Sequence, residues 1–520
     1  MFAFGGDEEE DDILSAMAAA QYGEEDEPGQ VHVSAAKQDT QNNMDEPKAE
    51  EGGIMKHYCG DNDIWNPRTR APDIWFSNTW KDAVPANVIP HELLRKKTLQ
   101  LVRNNFNKIL TETTFEDSTD KLNQAFEKWY FTAKSHEKAP TDPLLTSKID
   151  EATEKQLADS LAETGMPPAT ATTVAHQVSK FASHTYLQYV RQVNHFGFTF
   201  DKSLTNGSSL NTKHVSRTVG VNMGNGVMDT SMILLKYRKS KQRITVQHFE
   251  KLKALLNIHV DKLNDRMKHN LRWEKIVLSD QDINDRIFSL LLRYNAINGT
   301  YTEGAGFQAA IPGACFDALL KHLDCCMECF ASPLNCRYST FCSAFPDTDA
   351  MFGSVGSFFA ETFTPEEGSF EANPPFVDAL IYKMAVKMNL LLSQANKNRK
   401  PLSFVVIIPE WDQTQGWNEL NDSKYLRNHI VLQQRDHGYT EGAQHVLSNS
   451  RFRIATFNTS IFVLQSKRGK KKWPVTDDFV EELKKSFVSK HKDNTEYGNS
   501  KKRGREEDAT DANAQKLPKH

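Results

Sequence analysis

The sequence predicts an α/β fold, a sheet covered by helices, preceded by a mostly helical segment. Three observations predict this fold class. Apolar residues recur at the i, i+3, i+4 spacing of helices through much of residues 90–300. After Gly304, short apolar runs alternate with loops and a helical pattern, as they do in α/β proteins. The run Leu402–Ile408 is almost continuously apolar, which is typical of a strand buried on both faces.

The first half of the chain carries the helical patterns. We predict helices at residues 91–109, 120–134, 155–164, 171–195, 248–256, 271–277 and 282–294. Residues 228–246 differ, because two apolar runs flank a basic turn there. This pattern predicts a β-hairpin inside the helical segment.

The second half carries the strand patterns. We predict a helix at 377–393 and strands at 327–331, 340–345, 369–372, 402–408, 430–433 and 452–465. The predicted elements divide the chain into an acidic disordered tail, a mainly helical domain with the basic hairpin, an α/β domain, and a C-terminal helix with a charged tail. The bounds of these four parts are 1–55, 56–300, 301–475 and 476–520.

Charge is distributed unevenly along the chain. Residues 1–51 contain 15 Asp or Glu against two Lys, so they carry −13, and the remainder carries +8 within the total of −5. A basic body is typical of nucleic-acid-binding proteins, and it also occurs in ordinary proteins with a solubilising acidic tail. No apolar run approaches the roughly 18 residues of a membrane span. Since the acidic N-terminus is also unlike a secretory signal, we predict an intracellular protein without a membrane partner.

The cysteines do not form the pattern of a disulfide framework. There are seven in 520 residues, and five of them lie between residues 325 and 342. Cys326 and Cys329 have the spacing of half a zinc site, but no second pair follows them. Buried free thiols are the alternative, and we predict these and no metal site.

The tetrapeptide Asn373-Pro374-Pro375-Phe376 lies between a predicted strand and a predicted helix. It matches the (Asn/Asp)-Pro-Pro-aromatic pattern of enzymes that methylate an exocyclic amino group of a nucleobase. The prolines stiffen the turn. The Asn373 side chain and the Pro374 carbonyl can then accept both hydrogens of an adenine N6 amine, while Phe376 stacks on the base. A plain Asn-Pro turn is the alternative.

The loop after the first predicted strand is a candidate cofactor site, because ligands of α/β sheets bind at the carboxyl ends of strands. This loop, Ala331–Asn335, lacks the Gly-x-Gly that usually lets a backbone approach its ligand closely. Asp347 lies 19 residues after Glu328, near the offset at which an acid binds ribose hydroxyls. Asp349 is an equal candidate, and a surface acid is the alternative for both positions.

Three basic clusters are candidates for nucleic-acid contacts. Lys236–Arg243 places five basic residues and one Tyr in eight positions, and such a hairpin tip can contact phosphates or stack on a base. A solvated turn is the alternative. Lys467–Lys472 is a second basic run. Lys501–Arg505 suits nuclear import, with nonspecific RNA attraction as its alternative.

Several blocks in a consistent order resemble the cap-specific adenosine N6-methyltransferases, the phosphorylated C-terminal-domain-interacting factor family: Glu328–Asn335, Phe341–Asp349, Gly368–Phe376, Phe404–Trp411 and Asn458-Thr459. The resemblance is strong over about residues 300–470 and loose over 90–300. It implies a Rossmann-type methyltransferase domain after a mostly helical domain, with S-adenosylmethionine as cofactor. The implied substrate is N6 of the 2′-O-methyladenosine next to the 7-methylguanosine cap of mRNA.

The resemblance also implies site residues. Cofactor contacts are expected from Glu328, Phe330, Ala331, Ser332, Pro333, Asn335, Asp347, Asp349 and Asn373. Contacts with substrate are expected from Asp378, Glu410 and His445, and stabilisation of a helix N-terminus is the alternative for Asp378. Arg238, Lys239 and Arg243 of the basic hairpin are candidates for the cap by their charge alone, because the resemblance does not align this segment residue by residue. The expected location is the nucleus, with or without a cytoplasmic pool.

Family members from animals carry an N-terminal WW domain that binds the phosphorylated polymerase II tail. Trp65, Trp75 and Trp80 are too closely spaced for such a domain. We therefore predict that this chain lacks a WW domain and that polymerase binding is not implied. Two other functions stay open: N6-adenine methylation of internal RNA or DNA, and non-catalytic binding of RNA or cap as an adaptor.

Overall fold

The computed structural model of the protein describes residues 89–113, 115, 119–136, 142–147, 149–195, 215–222, 228–269, 275–298, 308–442, 445–446 and 452–488. The predictions for the acidic tail, for the closely spaced tryptophans and for the basic cluster after residue 500 lie outside these residues. Within the described ranges, no helix is both long enough and apolar enough to cross a bilayer.

Six long helices dominate the first half of the described chain. They are α1 (Ile89–Glu112), α2 (Thr119–His136), α3 (Glu151–Glu163), α4 (Pro168–His195), α5 (Val246–Met267) and α6 (Asp280–Asn298). The side chain of Asp150 caps α3 by accepting the Thr153 N–H at 2.8 Å. All but one of the predicted helices are confirmed. The helix predicted at 271–277 is wrong for its described part, because residues 275–279 have no regular structure.

A three-stranded antiparallel sheet interrupts these helices. Its strands β1 (Ser216–Asn222), β2 (Met228–Tyr237) and β3 (Ser240–Thr245) follow one another in space in the same order. The predicted hairpin is therefore confirmed as β2 and β3. Strand β1 was not predicted, because Ser216–Val219 are exposed and lack the apolar alternation of a half-buried strand.

The second half alternates strands and helices. The helices are α7 (Gly313–Leu323), α8 (Pro346–Asp349), α9 (Asp378–Lys397), α10 (Gln415–Asn421), α11 (Lys467–Lys472) and α12 (Asp477–Ser486). The strands are β4 (Gly368–Ala372), β5 (Leu402–Pro409), β6 (Leu426–Leu432), β7 (Gly438–Thr440), β8 (Phe452–Ile454) and β9 (Thr459–Gln465). The described chain is thus mixed α/β, as the sequence predicts.

The main sheet is mixed, with strand order β4-β5-β9-β6. β4 and β5 are parallel, whereas β9 is antiparallel to both of its neighbours. Single parallel bridges extend the sheet beyond β4, from Glu371 to Glu328, from Glu328 to Phe341 and from Phe341 to Ser354. The strands predicted at 327–331 and 340–345 are therefore wrong in length, since each is reduced to one bridged residue.

β5 is buried along its whole length, as its composition predicts. Its even-numbered residues from Phe404 to Ile408 pack in one apolar cluster with α9. Val405 and Ile407 point the other way into a second cluster with α7 and α12. The sheet therefore has a hydrophobic core on each face.

A third hydrophobic cluster joins the helices to the α/β part. It contains most apolar residues of α1–α6 and also Leu334, Phe341, Phe345 and Phe352 from the loops beside the main sheet. The Lys251 ammonium of α5 donates to the Leu334 carbonyl at 3.1 Å. The helices therefore pack directly on loops of the candidate cofactor region. The domain boundary expected at residue 300 stays a prediction.

Candidate functional site at the carboxyl edge of the sheet

The predicted site loops leave the main sheet at one edge. Glu328 is the parallel neighbour of both Phe341 and Glu371, and β4 is the parallel neighbour of β5. Parallel segments end on the same side of a sheet, where α/β proteins bind ligands. The chain after these four segments forms the loops 330–335, 345–349, 373–376 and 410–411, which we call the carboxyl edge.

Asn373 presents an unsatisfied acceptor at the carboxyl edge. Its Nδ2 donates to the Ala309 carbonyl at 3.0 Å, which fixes the orientation of the amide. Its Oδ1 is buried and accepts no hydrogen bond within the described residues. A buried polar atom without a partner costs roughly 1–3 kcal/mol. The arrangement therefore favours a ligand that donates a hydrogen bond to this oxygen.

The two prolines shape the turn between Asn373 and α9. Pro374 is buried and Pro375 is half-buried. The Pro375 carbonyl accepts the Val377 N–H at 2.8 Å. That bond closes the turn just before the first residue of α9. The acceptor role of the Pro374 carbonyl stays a prediction.

Phe376 is held by three aromatic rings. Trp411, Tyr439 and Phe457 each meet it nearly edge-on, with centroid distances of 6.4, 6.2 and 5.8 Å. The Tyr439 hydroxyl is in turn 2.8 Å from the Thr459 hydroxyl. Edge-to-face packing fixes the plane of a ring. The half-buried Phe376 therefore has a defined orientation beside Asn373.

The sequence patterns missed the partners of Phe376. Trp411 ends the block Phe404–Trp411, but nothing in the local sequence indicates that its ring contacts Phe376. The Lys128 ammonium of α2 lies 5.8 Å from the centre of the Trp411 ring, so the helical segment reaches the carboxyl edge. These contacts join residues far apart in the chain, and only a covariation signal between homologues could have revealed them.

Glu328, the predicted cofactor residue that precedes the first loop, is hydrogen-bonded to backbone groups of the protein. The Glu328 carboxylate accepts the N–H groups of Arg337 and Tyr338 at 2.8 and 3.0 Å. Burial raises the pKa of this carboxyl to about 7. Its neighbour Glu371 is also buried, with one oxygen unpartnered within the described residues. Burial, together with the charge of Glu328, raises the pKa of Glu371 as well.

Side chains of the loop Ala331–Asn335 are hydrogen-bonded to Gln308. The Ser332 hydroxyl donates to Gln308 at 2.8 Å, and the Asn335 amide donates to the Gln308 carbonyl at 3.0 Å. Ser332 and Pro333 are buried, whereas Ala331 and Phe330 are half-buried. Within this loop region, Phe330 and Ala331 are therefore the residues with side-chain surface left for a ligand.

The two candidate ribose acids occupy different environments. Asp347 accepts two hydrogen bonds from the Arg293 guanidinium, at 3.0 and 2.8 Å, and its side chain remains 17% exposed. Asp349 is fully buried, and its Oδ2 accepts a hydrogen bond from the Tyr294 hydroxyl at 2.6 Å. The exposure of Asp347 favours it over Asp349 as a contact for a bound ribose.

Replacing Asp349 by asparagine is expected to remove part of the pH dependence of stability. Burial raises the pKa of Asp349 from 3.8 to about 7, so the folded state keeps a proton that the unfolded chain releases near pH 4. The stabilisation from that proton is complete below about pH 4 and is lost as the pH rises through about 7. Between about pH 4.5 and 8, the free energy of unfolding should fall by roughly 1–3 kcal/mol more in the wild type than in the variant.

Urea unfolding at several pH values checks this expectation. The exposed Asp436→Asn serves as the control, because it removes the same charge from a solvated loop. Parallel pH profiles for the wild type and Asp349→Asn would contradict the assignment of the titration to Asp349.

Three predicted substrate contacts also have structural partners. The Asp378 carboxylate accepts the Gly416 N–H at 2.7 Å, and the Glu410 carboxylate accepts the Asn458 amide at 2.9 Å. His445 is buried, and its carbonyl accepts the Thr245 N–H at 2.8 Å. Glu410 lies in a loop of the carboxyl edge, whereas His445 lies where the antiparallel sheet meets α5.

The basic hairpin concentrates like charges. Lys236 and Lys241 are direct cross-strand partners, and both are exposed. Like charges in this position destabilise a hairpin, which favours a polyanionic partner. Lys239 and Arg243 are exposed as well, whereas the half-buried Arg238 has a left-handed φ of 52° and lies 5.8 Å from the Tyr237 ring centre. Their RNA contacts stay predictions.

The described cysteines are free thiols. Cys315, Cys325, Cys329, Cys336 and Cys342 are buried, and Cys326 is half-buried. Burial raises the pKa of Cys336 to about 12, so this thiol stays protonated near neutral pH. Within the described ranges, no group of three or more His, Cys, Asp or Glu side chains could hold a metal ion.

Comparison with known families corrects one prediction. A family model described as "Phosphorylated CTD interacting factor 1 WW domain" matches residues 262–442. The prediction that the chain lacks this WW domain is therefore wrong. The match covers the carboxyl-edge loops, far from the tryptophans before residue 89 on which the prediction rested. The spacing of the tryptophans therefore gives no reason against binding of the polymerase tail.

Two curated proteins are similar to half of this chain. The mRNA (2'-O-methyladenosine-N(6)-)-methyltransferase of Homo sapiens is 33% identical over 264 residues, which are 50% of this chain and 35% of the human protein. The protein of the same name from Mus musculus is 34% identical over 265 residues, again 50% of this chain and 35% of the relative. The chain thus matches about a third of the length of relatives that carry the name of a methyltransferase.

Proposed function

We propose that this protein transfers a methyl group from S-adenosylmethionine to N6 of the 2′-O-methyladenosine next to the 7-methylguanosine cap of mRNA. The observation that carries the proposal is Asn373 Oδ1, a buried acceptor at the carboxyl edge that has no hydrogen-bond partner among the described residues, three positions before the oriented ring of Phe376. The names of the human and mouse relatives support the same activity.

We further propose that the α/β part is a Rossmann-type methyltransferase domain. Support comes from the order of the sheet, in which Ser354, Phe341 and Glu328 precede β4, β5, β9 and β6, with β9 antiparallel. The cofactor, when bound, supplies an electrophilic methyl group. Phe330 and Asp347 are the residues proposed to hold it, because both keep exposed surface next to the carboxyl edge.

Methyl transfer to an adenine N6 amine requires that the protein orient the amine and stabilise its developing positive charge. It does not require a strong base. The lone pair of an adenine N6 amine is delocalised into the ring, and its proton can leave after the methyl group arrives. An N–H···Oδ1 bond to Asn373 would turn the amine toward the methyl donor and stabilise positive charge on N6. The Phe376 face would fix the plane of the base and favour the same charge.

Capped mRNA is the proposed partner, and the nucleus is the proposed location. Exposed Lys236, Lys239, Lys241 and Arg243 of the hairpin supply positive charge for the RNA backbone. The basic cluster after residue 500 suits nuclear import. Binding of the polymerase tail is a further proposal, which the family match at residues 262–442 supports.

Methyl transfer to matched RNAs tests the proposal. Two RNAs of identical sequence that begin with adenosine, one capped and 2′-O-methylated and one with a 5′-hydroxyl, are incubated with the full chain and labelled cofactor. We expect label in the cap dinucleotide of the first RNA alone, identified by mass spectrometry. Equal labelling at internal adenosines would indicate an internal N6-methyltransferase. Absence of cofactor binding by calorimetry would indicate a non-catalytic adaptor.

A further inference from the structure

We propose that a second basic surface, at the opposite end of the sheet from Asn373, binds the phosphate backbone of RNA downstream of the methylated nucleotide. We call it the rear surface and define it by Lys397, Arg399, Lys467, Arg468, Lys470 and Lys471. The inference rests on the proposed function, because it takes the body of the same RNA as its ligand.

Two segments about 70 residues apart in sequence build the rear surface. Residues 397–399 are the last residue of α9 and the two residues that follow it, whereas residues 467–471 form most of α11. The Asn396 side chain joins them by accepting the Lys467 N–H at 2.7 Å. The basic run Lys467–Lys472, which forms α11, therefore lies next to the basic residues at the end of α9, although the two groups are far apart in the sequence.

Ser466 fixes the geometry of this junction. Its hydroxyl donates to the Lys400 carbonyl at 2.8 Å and accepts the N–H groups of Leu402 and Gly469, both at 3.0 Å. A Cβ on Gly469 would lie 2.5 Å from the Leu402 carbonyl oxygen, so only glycine lets α11 approach β5 this closely. These contacts hold the backbone of α11 in a fixed position, so its basic side chains emerge from a rigid part of the fold.

The six side chains of the rear surface are exposed, and the described part of the chain provides them with no ion pair. The adjacent Lys400 differs, because it pairs with Glu367 at 3.4 Å. Helix-dipole effects would account for Lys470 and Lys471 near the end of α11, where cations are stabilising. They do not account for Lys467 and Arg468, because cations in the first turn of a helix are unfavourable. A polyanionic ligand accounts for all of them.

The rear surface is too far from Asn373 to share its ligand group. Gly368 of β4 pairs with Leu402 of β5, and Ala372 pairs with Val406, so Asn373 lies about five residues beyond Leu402 along the strands. At the usual rise of a strand, this separation is roughly 17 Å. About five stacked nucleotides cover such a distance. The rear surface should therefore contact long RNAs and not a short capped oligonucleotide.

Charge neutralisation tests the inference. The variant Lys467→Gln, Arg468→Gln, Lys470→Gln, Lys471→Gln removes four charges from the rear surface. A matched control, Lys108→Gln, Lys155→Gln, Lys180→Gln, Arg191→Gln, removes four exposed charges from the helical segment. Binding of capped RNAs of 4 and 20 nucleotides is measured by fluorescence anisotropy at several salt concentrations, and methyl transfer is measured alongside.

For the 20-nucleotide RNA we expect the rear-surface variant to bind about tenfold more weakly than the control at moderate salt. Its plot of log affinity against log salt should be less steep by up to about 3, since each phosphate contact on a single strand contributes about 0.7. KM for the long RNA should rise with kcat unchanged, and the short RNA should be unaffected.

Equal affinity and equal salt slope of the two variants for the long RNA would overturn the inference, as would equal losses on both RNA lengths. Failure of the proposed function has a different signature, because it would abolish methyl transfer in the wild type while the binding comparison remains measurable. Circular dichroism and thermal unfolding of both variants verify that each protein remains folded.

Discussion

Replacement of Asn373 by alanine is expected to lower methyl transfer to capped RNA by about 10²–10³-fold, the usual effect of removing one preorganised polar contact from a reacting group. The two polar atoms of the Asn373 side chain have different roles. Its Nδ2 bonds to the Ala309 carbonyl, and its Oδ1 stays unsatisfied within the described residues. Removing the oxygen should lower kcat, because its hydrogen bond to N6 strengthens as positive charge develops there.

The loss of the Nδ2 bond affects the fold only slightly. One neutral hydrogen bond contributes about 1 kcal/mol to stability, so the variant should remain folded. Asn398→Ala is the matched control, since Asn398 is exposed at the end of α9. The measurement is single-turnover methyl transfer at saturating RNA, with thermal unfolding of each variant recorded in parallel. Wild-type turnover by a folded Asn373→Ala protein would refute the assignment of the site.

A more selective variant separates the two tasks of Asn373. Aspartate keeps an acceptor oxygen but loses the N–H group that bonds to Ala309. Its carboxylate would then face the Ala309 carbonyl oxygen, which leaves two acceptors in contact. We expect Asn373→Asp to keep more activity than Asn373→Ala and to be less stable. The opposite order of activities would indicate that the oxygen does not contact the amine.

The second large effect is expected from Arg293→Met, which should destabilise the fold by about 3–5 kcal/mol. The Arg293 guanidinium is fully buried, and it bonds to Glu92 at 2.9 and 2.7 Å as well as to Asp347. Its loss would leave two carboxylates with less compensating charge. The pKa of Glu92 is held below its ordinary value by Arg293 and Arg95 despite the opposing effect of burial.

Urea unfolding measures the change, and the exposed Arg266→Met is the control. The triple variant Arg293→Met, Glu92→Gln, Asp347→Asn should be more stable than Arg293→Met alone, because it leaves no unpaired charge in the cluster at Arg293. An Arg293→Met protein as stable as the control would show that the network contributes little. Cofactor affinity should also fall in Arg293→Met, since Arg293 positions Asp347 beside the carboxyl edge.

Local patterns were sufficient for elements whose signal lies within one segment. The apolar composition of β5 predicted that the strand is buried on both faces. The two apolar runs around a basic turn predicted the hairpin of β2 and β3. Local patterns did not predict the helix α7. They also predicted full strands around Glu328 and Phe341, where the structure has single bridges. Whether a single residue forms a β-bridge depends on the neighbouring strands of the sheet. No periodicity in the local sequence therefore predicts it.

The candidate site divides in the same way. The sequence by itself determined the tetrapeptide at residues 373–376, its position after a strand and before a helix, and the basic character of the hairpin and of α11. Only the tertiary structure decided that Asn373 Oδ1 has no hydrogen-bond partner in the part of the chain that the structure describes. It also decided that Asp349 is buried while Asp347 keeps exposed surface, and that α11 contacts the end of α9. The physical reason is that residue type and local spacing set what a side chain can bond to. Whether a bond partner is present depends on residues such as Ala309 and Arg293, more than 50 positions away in the chain.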